Sequence, residues 1–242
     1  MLEKTKQLLS TLESDRAGNS FLIRTLETEP DTEQHTVGDS SAVLERRTGC
    51  WLFDLKKSGD FTELVSKLES PLKTFYVNSS NHWDEIRSVI PGASSQEYVQ
   101  YVLDSGMFIN DNSVINPDIE VVKIDKSWTD YILTLYKSEE FGYKEYIDSC
   151  IDLNPGFGAL LNGEKIGYVL IHMDGEIGSM VISEKARGRG VGRTLMQYIT
   201  PEYAKQASIG CGFVLPENHC SQRMMEKSCF IALNRKIMWV YH

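Results

Sequence analysis

Apolar runs are short in this 242-residue chain, and none approaches the ~20 residues a bilayer-spanning helix needs. The opening stretch Met1–Asp15 lacks the unbroken apolar segment of a secretory signal. Glu3, Glu13 and Asp15 stand where a mitochondrial presequence avoids acid. Positive charge is scarce too. The formal balance is −9, which argues against nucleic acid, because a phosphate backbone demands a basic face. Cysteine pairs are missing: Cys50, Cys150, Cys211, Cys220 and Cys229 are odd in number and show no C-x-x-C spacing. Neither a disulfide framework nor a metal site is expected from them. Solenoid-spaced repeats and low-complexity tracts are also absent. These absences lead to the expectation of a soluble, cytoplasmic monomer or homodimer with no membrane, nucleic-acid or metal partner.

What is present is ordinary globular material, 41% hydrophobic and 24% charged, which supports packed cores throughout. Turn formers gather at Asn110–Asp118 and interrupt the periodic pattern, so a boundary is placed there. The reading is a smaller α/β domain over residues 1–116 and a second α/β (α+β) domain over 117–242. In the first, helices are expected at Glu3–Glu13, Phe61–Leu68, Trp83–Val89 and Gln96–Leu103. Strands are expected at Cys50–Leu55 and Thr74–Asn78, with a long polar loop over Thr28–Ser41. No chemical motif stands in this half.

The second half has a clearer order. A strand at Ile119–Ile124 is followed by a helix capped by Ser127 and running to Tyr136, then by a helix over Tyr143–Ile151. Strands at Phe157–Leu161, Ile166–His172 and Glu176–Ile182 are joined by the tight turns Asn162-Gly163 and Asp174-Gly175. A helix from Val191 follows, which Pro201 should kink or end. Last come a strand at Gly212–Leu215, a helix at Ser221–Lys227 and a strand at Lys236–Tyr241.

Between the third of those strands and the long helix lies Arg187-Gly188-Arg189-Gly190-Val191-Gly192-Arg193. Glycines let a backbone turn tightly and approach a ligand. The helix that follows opens with unpaired N–H groups and the positive end of its dipole, an anion site to which three arginines add charge. Acid elsewhere in the chain does not forbid such a local site, and the combination suits a pyrophosphate. Spacing excludes two other phosphate loops. The Gly-x-Gly-x-Gly run follows antiparallel strands, unlike a dinucleotide fingerprint, and Gly-Lys-Ser/Thr is lacking.

Arg187-x-x-Gly190-x-Gly192 resembles the Gln/Arg-x-x-Gly-x-Gly/Ala signature of GNAT acyltransferases. Asn218-His219-Cys220-Ser221 followed by Lys227-Ser228-Cys229-Phe230 resembles that family's Asn-x-x-Ser…Lys-x-Gly-Phe motif. The resemblance covers residues 119–242 and implies a GNAT fold there: a mixed, mostly antiparallel sheet flanked by helices. It further implies an acetyl-CoA or other acyl-CoA co-substrate. By the same resemblance the loop Arg187–Arg193 would grip the pyrophosphate. Met180, Val181 and Ile182 would offer backbone groups to the pantetheine arm, and Asn218 and Ser221 would lie beside it. The segments Gly167–Ile177, Phe213–Gln222 and Met238–Tyr241 look like those of the glycine N-acyltransferase group. That group also has a poorly marked α/β half ahead of a GNAT half, so the first domain is read as a degenerate GNAT-like copy that helps enclose the acceptor. Departures are Ser183-Glu184 in place of a proline, Cys229 in place of glycine, and Met225 where a tyrosine often serves as general acid.

An acceptor ammonium must lose a proton before its nitrogen can attack a thioester, and a carboxylate can take it. Glu176 is the candidate base: alternation puts it on one face with Gly178, Met180 and Ile182, and the resemblance places a glutamate base six residues before the strand's end. Cys220 is a weaker candidate for protonating the leaving thiolate. His172 and His219 could each orient a partner, although a lone histidine is ordinarily structural. Lys144 is a guess for a cation facing an acceptor carboxylate. The reaction expected is acyl transfer from coenzyme A to the primary amine of a small molecule, an amino acid such as glycine. The alternatives are a protein lysine or N-terminal acetyltransferase and a non-catalytic acyl-CoA-binding regulatory module.

Overall fold

The computed structural model describes residues 2–106, 116–136 and 143–242. The first run of elements is α1 (Glu3–Leu12), α2 (Ser20–Thr28), β1 (Gln34–Val37), β2 (Ser40–Glu45), β3 (Cys50–Asp54), α3 (Asp60–Val65), β4 (Thr74–Val77), α4 (Trp83–Val89) and β5 (Ser94–Asp104). After β6 (Glu120–Lys123) come α5 (Thr129–Leu135), α6 (Lys144–Leu153), β7 (Phe157–Leu161), β8 (Glu164–Ile171), β9 (Ile177–Ile182), α7 (Val191–Ala204), β10 (Ile209–Val214), α8 (His219–Lys227) and β11 (Ile231–Tyr241). From α1 to β5, and again from α5 to β11, the succession is the same: two helices, three strands, helix, strand, helix, strand.

One sheet runs β1-β2-β3-β4-β11-β5-β10 and the other β6-β7-β8-β9. The second is antiparallel throughout, whereas β3 and β4 pair in parallel around the α3 crossover. The folding is therefore α/β with mixed, mostly antiparallel sheets. The chain forms two compact units, and they follow contact rather than chain order. The first takes Met1–Val102, Phe213–His219 and Ala232–His242; the second takes Leu103–Gly212 and Cys220–Ile231. Of the turn-rich stretch read as a boundary, residues 110–115 lie outside the described residues. Each unit has its own core. Trp51, Phe53, Phe61, Phe75, Val77 and Val240 fill the first; Ile132, Ile147, Cys150, Tyr168 and Leu170 fill the second. Burying side chains of this size is worth about 1.5–3 kcal/mol each, and that drives the strands and helices together.

Several sequence expectations need correction. The polar stretch Thr28–Ser41 is not one long loop; it holds β1 and the start of β2. Two of its buried polar groups are tied down there: Gln34 Nε2 donates to Thr5 Oγ1 at 2.8 Å, and Ser40 Oγ donates to Asp60 Oδ2 at 2.5 Å. Gln96–Leu103 is strand, not helix, because β5 lies inside the sheet between β11 and β10, where both edges find partners. Pro201 neither ends nor interrupts α7, which continues to Ala204. Ser127 does not cap the helix: the carboxylate of Asp125 accepts from its amide at 2.8 Å and opens a short 3₁₀ turn ahead of α5.

Candidate active site

The hairpin from β8 to β9 is closed at its tip by backbone bonds from His172 N–H to Glu176 O at 2.8 Å and from Gly175 N–H to His172 O at 3.0 Å. The Asp174 carboxylate accepts from the Glu176 amide at 3.0 Å. Glu176 therefore stands in the turn, one residue before the strand, and is partly buried.

Beyond it the alternation read from the sequence breaks. Leu170 faces Gly178, and Tyr168, two residues back along β8, faces Val181, so Ser179 and Met180 together oppose Val169. This is a β-bulge, with Ser179 at φ +47°, an uncommon conformation for a residue with a side chain. The bulge places Gly178 and Val181 on one face and Ile177 and Ile182 on the other. Glu176 therefore does not share a face with Ile182, and the expected continuous face of Glu176, Gly178, Met180 and Ile182 does not form.

β9 is the last strand of its sheet. One edge pairs with β8 and the other faces away from it, so Met180, Val181 and Ile182 have an edge on which a peptide-like arm could pair. The first residues of β10 belong to the same unit. They come close to β9 at one point only among the contacts described: a Cβ added to Gly212 would lie 3.1 Å from the Ile177 carbonyl oxygen. There the Tyr203 hydroxyl, from α7, donates toward the carbonyls of Cys211 at 2.8 Å and Gly175 at 3.0 Å, and accepts from the Cys211 amide at 2.9 Å.

The loop to α7 then turns twice through left-handed backbone, at Gly188 (φ +76°) and Gly190 (φ +80°). A Cβ at either position would enter open space, so a ligand can approach the backbone there. Gly190 is the N-cap of a 14-residue helix, makes no side-chain cap bond, and is followed by no acid in the first turn. The amides of Val191, Gly192 and Arg193 therefore face an anion site of the kind a helix start provides. Val191 contributes only its backbone, since its side chain is buried. Gly192 has a packing reason: a Cβ there would meet Met224 Sδ at 2.8 Å. Arg187, Arg189 and Arg193 are exposed. Arg187 Nε donates to the Ile182 carbonyl at 3.4 Å, and its guanidinium lies 3.9 Å from Glu184. The cradle is open at both glycines and carries no acid in the helix's first turn, as an anion site requires.

The remaining sequence candidates are distributed as follows. Asn218 is exposed and belongs to the first unit, while Ser221 is half-buried on α8 in the second. Cys220 is exposed, with Arg223 Nη2 at 3.8 Å from its Sγ. The Lys144 ammonium is held by Asp148 at 2.7 Å, so the guessed cation already has a carboxylate. Cys229 adopts φ +67°, which explains why the family motif has glycine there: it is the left-handed residue ending α8, and the Phe230 amide bonds back to the Met225 carbonyl at 3.1 Å.

A cluster that the sequence did not reveal lies on the bulge. The His172 ring packs against Gly178, where a Cβ would come within 2.5 Å of it. Its Nδ1 lies 2.6 Å from the Tyr146 hydroxyl and its Nε2 lies 3.2 Å from Ser179 Oγ. Asn154 Nδ2 fixes its carbonyl at 2.9 Å. Burial holds the imidazole below its ordinary pKa, offset in some measure by the negative charge of Asp174, so the ring is neutral at neutral pH. The only advance signal was a histidine and a serine seven residues apart across a tight turn.

An edge strand with a bulge, a glycine cradle and an unobstructed helix start are parts that a GNAT fold brings together, the fold of enzymes that transfer acyl groups from coenzyme A. Comparison with known proteins bears this out. Residues 123–229 match the model of the acetyltransferase (GNAT) family. A solved Drosophila protein superposes with a TM-score of 0.72 at 11% identity, over 98% of this chain and 95% of that one. A GCN5-related N-acetyltransferase from Kribbella flavida gives 0.60 at 8% identity, over 93% and 95%. A tandem GNAT protein from the clavulanic acid biosynthesis pathway gives 0.53 at 12% identity, over 98% and 94%. At these identities the likeness speaks for fold. No curated protein matches the chain in sequence.

Proposed function

We propose that the protein transfers an acetyl or larger acyl group from acyl-CoA to the primary amine of a small molecule, an amino acid such as glycine, with Glu176 as general base. The observation that carries this is the cradle of Gly188 and Gly190 at the uncapped start of α7, directly after an edge strand. The co-substrate supplies an electrophilic thioester. Arg187–Arg193 hold its phosphates, and Met180, Val181 and Ile182 pair with its arm. Glu176, where the strand begins, takes a proton from the acceptor ammonium. The nitrogen then bonds to the carbonyl carbon, the carbon–sulfur bond breaks, and the thiolate leaves and is protonated. The amino-acid acceptor rests on the likeness of Gly167–Ile177 to the glycine N-acyltransferase group. The twice-repeated element order supports reading the first half as a degenerate copy of the same fold.

The test is thiol release from acetyl-, benzoyl- and longer acyl-CoA with a panel of free amino acids and lysine peptides. Turnover with a free amino acid is expected. Far faster turnover with lysine peptides would overturn the acceptor assignment. Coenzyme binding without thiol release from any pair would make the protein a binding module.

A further inference from the structure

The bulge of β9 carries one hydroxyl, that of Ser179. If the phosphates sit at the α7 cradle and the arm runs along β9, the acyl end reaches back toward the start of the strand. Ser179 stands three residues before Ile182, which is about 10 Å of extended backbone. It is held at φ +47°, a strained conformation for a residue with a Cβ, and such outliers cluster where function over-determines the backbone. Packed against the same bulge is the His172–Tyr146 pair.

We propose that Ser179 is a catalytic residue: its hydroxyl, oriented by His172 and Tyr146, donates a hydrogen bond to the thioester carbonyl oxygen as the amine adds. This role rests on the acyl-transfer reading above. It complements Glu176, which moves a proton, by stabilising the charge that develops on oxygen.

The direction of the hydrogen bonds follows from counting protons. Burial drives the Tyr146 hydroxyl far above the ordinary phenol range, with the charge of Asp174 adding to it, so it stays a neutral O–H. Burial pushes the Cys150 thiol, which is hydrogen-bonded to Tyr146, up to about 12, so it too keeps its proton. His172 is neutral and carries one proton for two ring nitrogens. A phenol is a better donor than an imidazole N–H, and an imidazole nitrogen is a better acceptor than a phenol oxygen. Tyr146 O–H therefore donates to Nδ1 across 2.6 Å, and the ring proton resides on Nε2. Nε2–H donates to Ser179 Oγ across 3.2 Å, and the serine proton is left to point away from the cluster. The groups acting on this relay are Tyr146 and Cys150 on α6, Tyr136 after α5, and Asp174 in the hairpin turn. His172 and Tyr146 are positioning residues, because they act through Ser179.

Two measurements on the full chain test this. In ¹⁵N-histidine-labelled protein, long-range proton–nitrogen spectra should show His172 as the Nε2–H tautomer, and Tyr146→Phe should mix the two tautomers. A wild-type Nδ1–H tautomer would overturn the proposal, since Ser179 would then donate inward to the ring. In thiol-release kinetics, Ser179→Gly keeps a backbone that prefers positive φ. It should lower kcat by about tenfold or more, as loss of a carbonyl-oxygen donor does, with coenzyme A affinity unchanged. Wild-type turnover in Ser179→Gly would overturn this role alone. No thiol release from the wild-type chain would overturn the acyl-transfer reading and this role with it.

Discussion

The two halves pass through the same succession of elements, yet at the corresponding turn they present opposite chemistry. After β9 the chain reaches α7 through exposed glycines and arginines, with no acid in the helix's first turn. After β3 it reaches α3 through Gly59, also left-handed at φ +93°, but Asp60 and Glu63 fill the first turn. The amides of the loop that leads to that turn are taken by the chain's own side chains. Leu55 N–H donates to Asn78 Oδ1 at 3.1 Å, Lys56 N–H to Ser40 Oγ at 2.7 Å and Lys57 N–H to Asp60 Oδ2 at 3.2 Å. Asp60 thus puts a carboxylate at the start of α3, while the first turn of α7 carries none. The strands differ in the same sense: β3 is hydrogen-bonded in parallel to β4, whereas β9 ends its sheet. At that turn one half is filled and the other open, so the same succession of elements leaves room for an anion only where polar groups are left unspent.

The sharpest way to break this contrast is at the proposed base. The residue before β3 is Gly49, so the first half has no carboxylate at the position corresponding to Glu176. Glu176→Gln should lower kcat by about 10²–10⁴-fold, with acyl-CoA affinity kept. The loss should shrink at high pH, where more acceptor amine is already neutral. A thiol-release loss under roughly threefold would make Glu176 structural.

Next in size are the two glycines that open the helices. Gly190→Asp puts a carboxylate in the open cradle and should weaken coenzyme A binding by about a hundredfold or more, near 3 kcal/mol. Calorimetry should register that loss while circular dichroism stays native. Gly59→Asp should leave coenzyme A binding untouched; a comparable loss there would mean the first half is not sealed.

Smaller effects concern stability. Cys229→Gly relieves a left-handed residue and should stabilise the fold by roughly 0.5–1 kcal/mol, read as a higher urea midpoint. Smallest is a pH effect in the sealed half. Burial holds the Asp54 carboxyl above its ordinary pKa, against the pull of Lys56 at 2.8 Å. The folded state therefore binds this proton more tightly than the unfolded chain. Stability should rise as pH falls through the folded-state pKa toward the unfolded value near 4, and fall as pH rises through the same window. Asp54→Asn should flatten that region of the urea-midpoint profile.

Much of the second half was legible because its signals are local: a glycine–arginine run, two tight turns, and a motif whose glycine position Cys229 still occupies in glycine's conformation. The first half was harder because its strands bury polar residues. Gln34, Ser40 and Ser41 are almost fully covered and read as loop from sequence. β5 runs from an exposed end at Ser94 to a buried end at Leu103, so it shows no clean alternation. The bulge at Ser179 was invisible for a different reason. It is a property of register against β8, and the period-two count that placed Glu176 with Ile182 has no means of sensing an extra residue.

Tyr203 gives the open half a fixed geometry. Its hydroxyl joins the backbone at Gly175 to that at Cys211, the place where β9 and β10 approach most closely in the contacts described. Strands fastened at one end behave as a pair of jaws with a welded pivot, whose aperture is set by the fold before any guest arrives. A linear thioester entering such an aperture does not have to prise the strands apart, so its binding energy is not consumed in reshaping the protein.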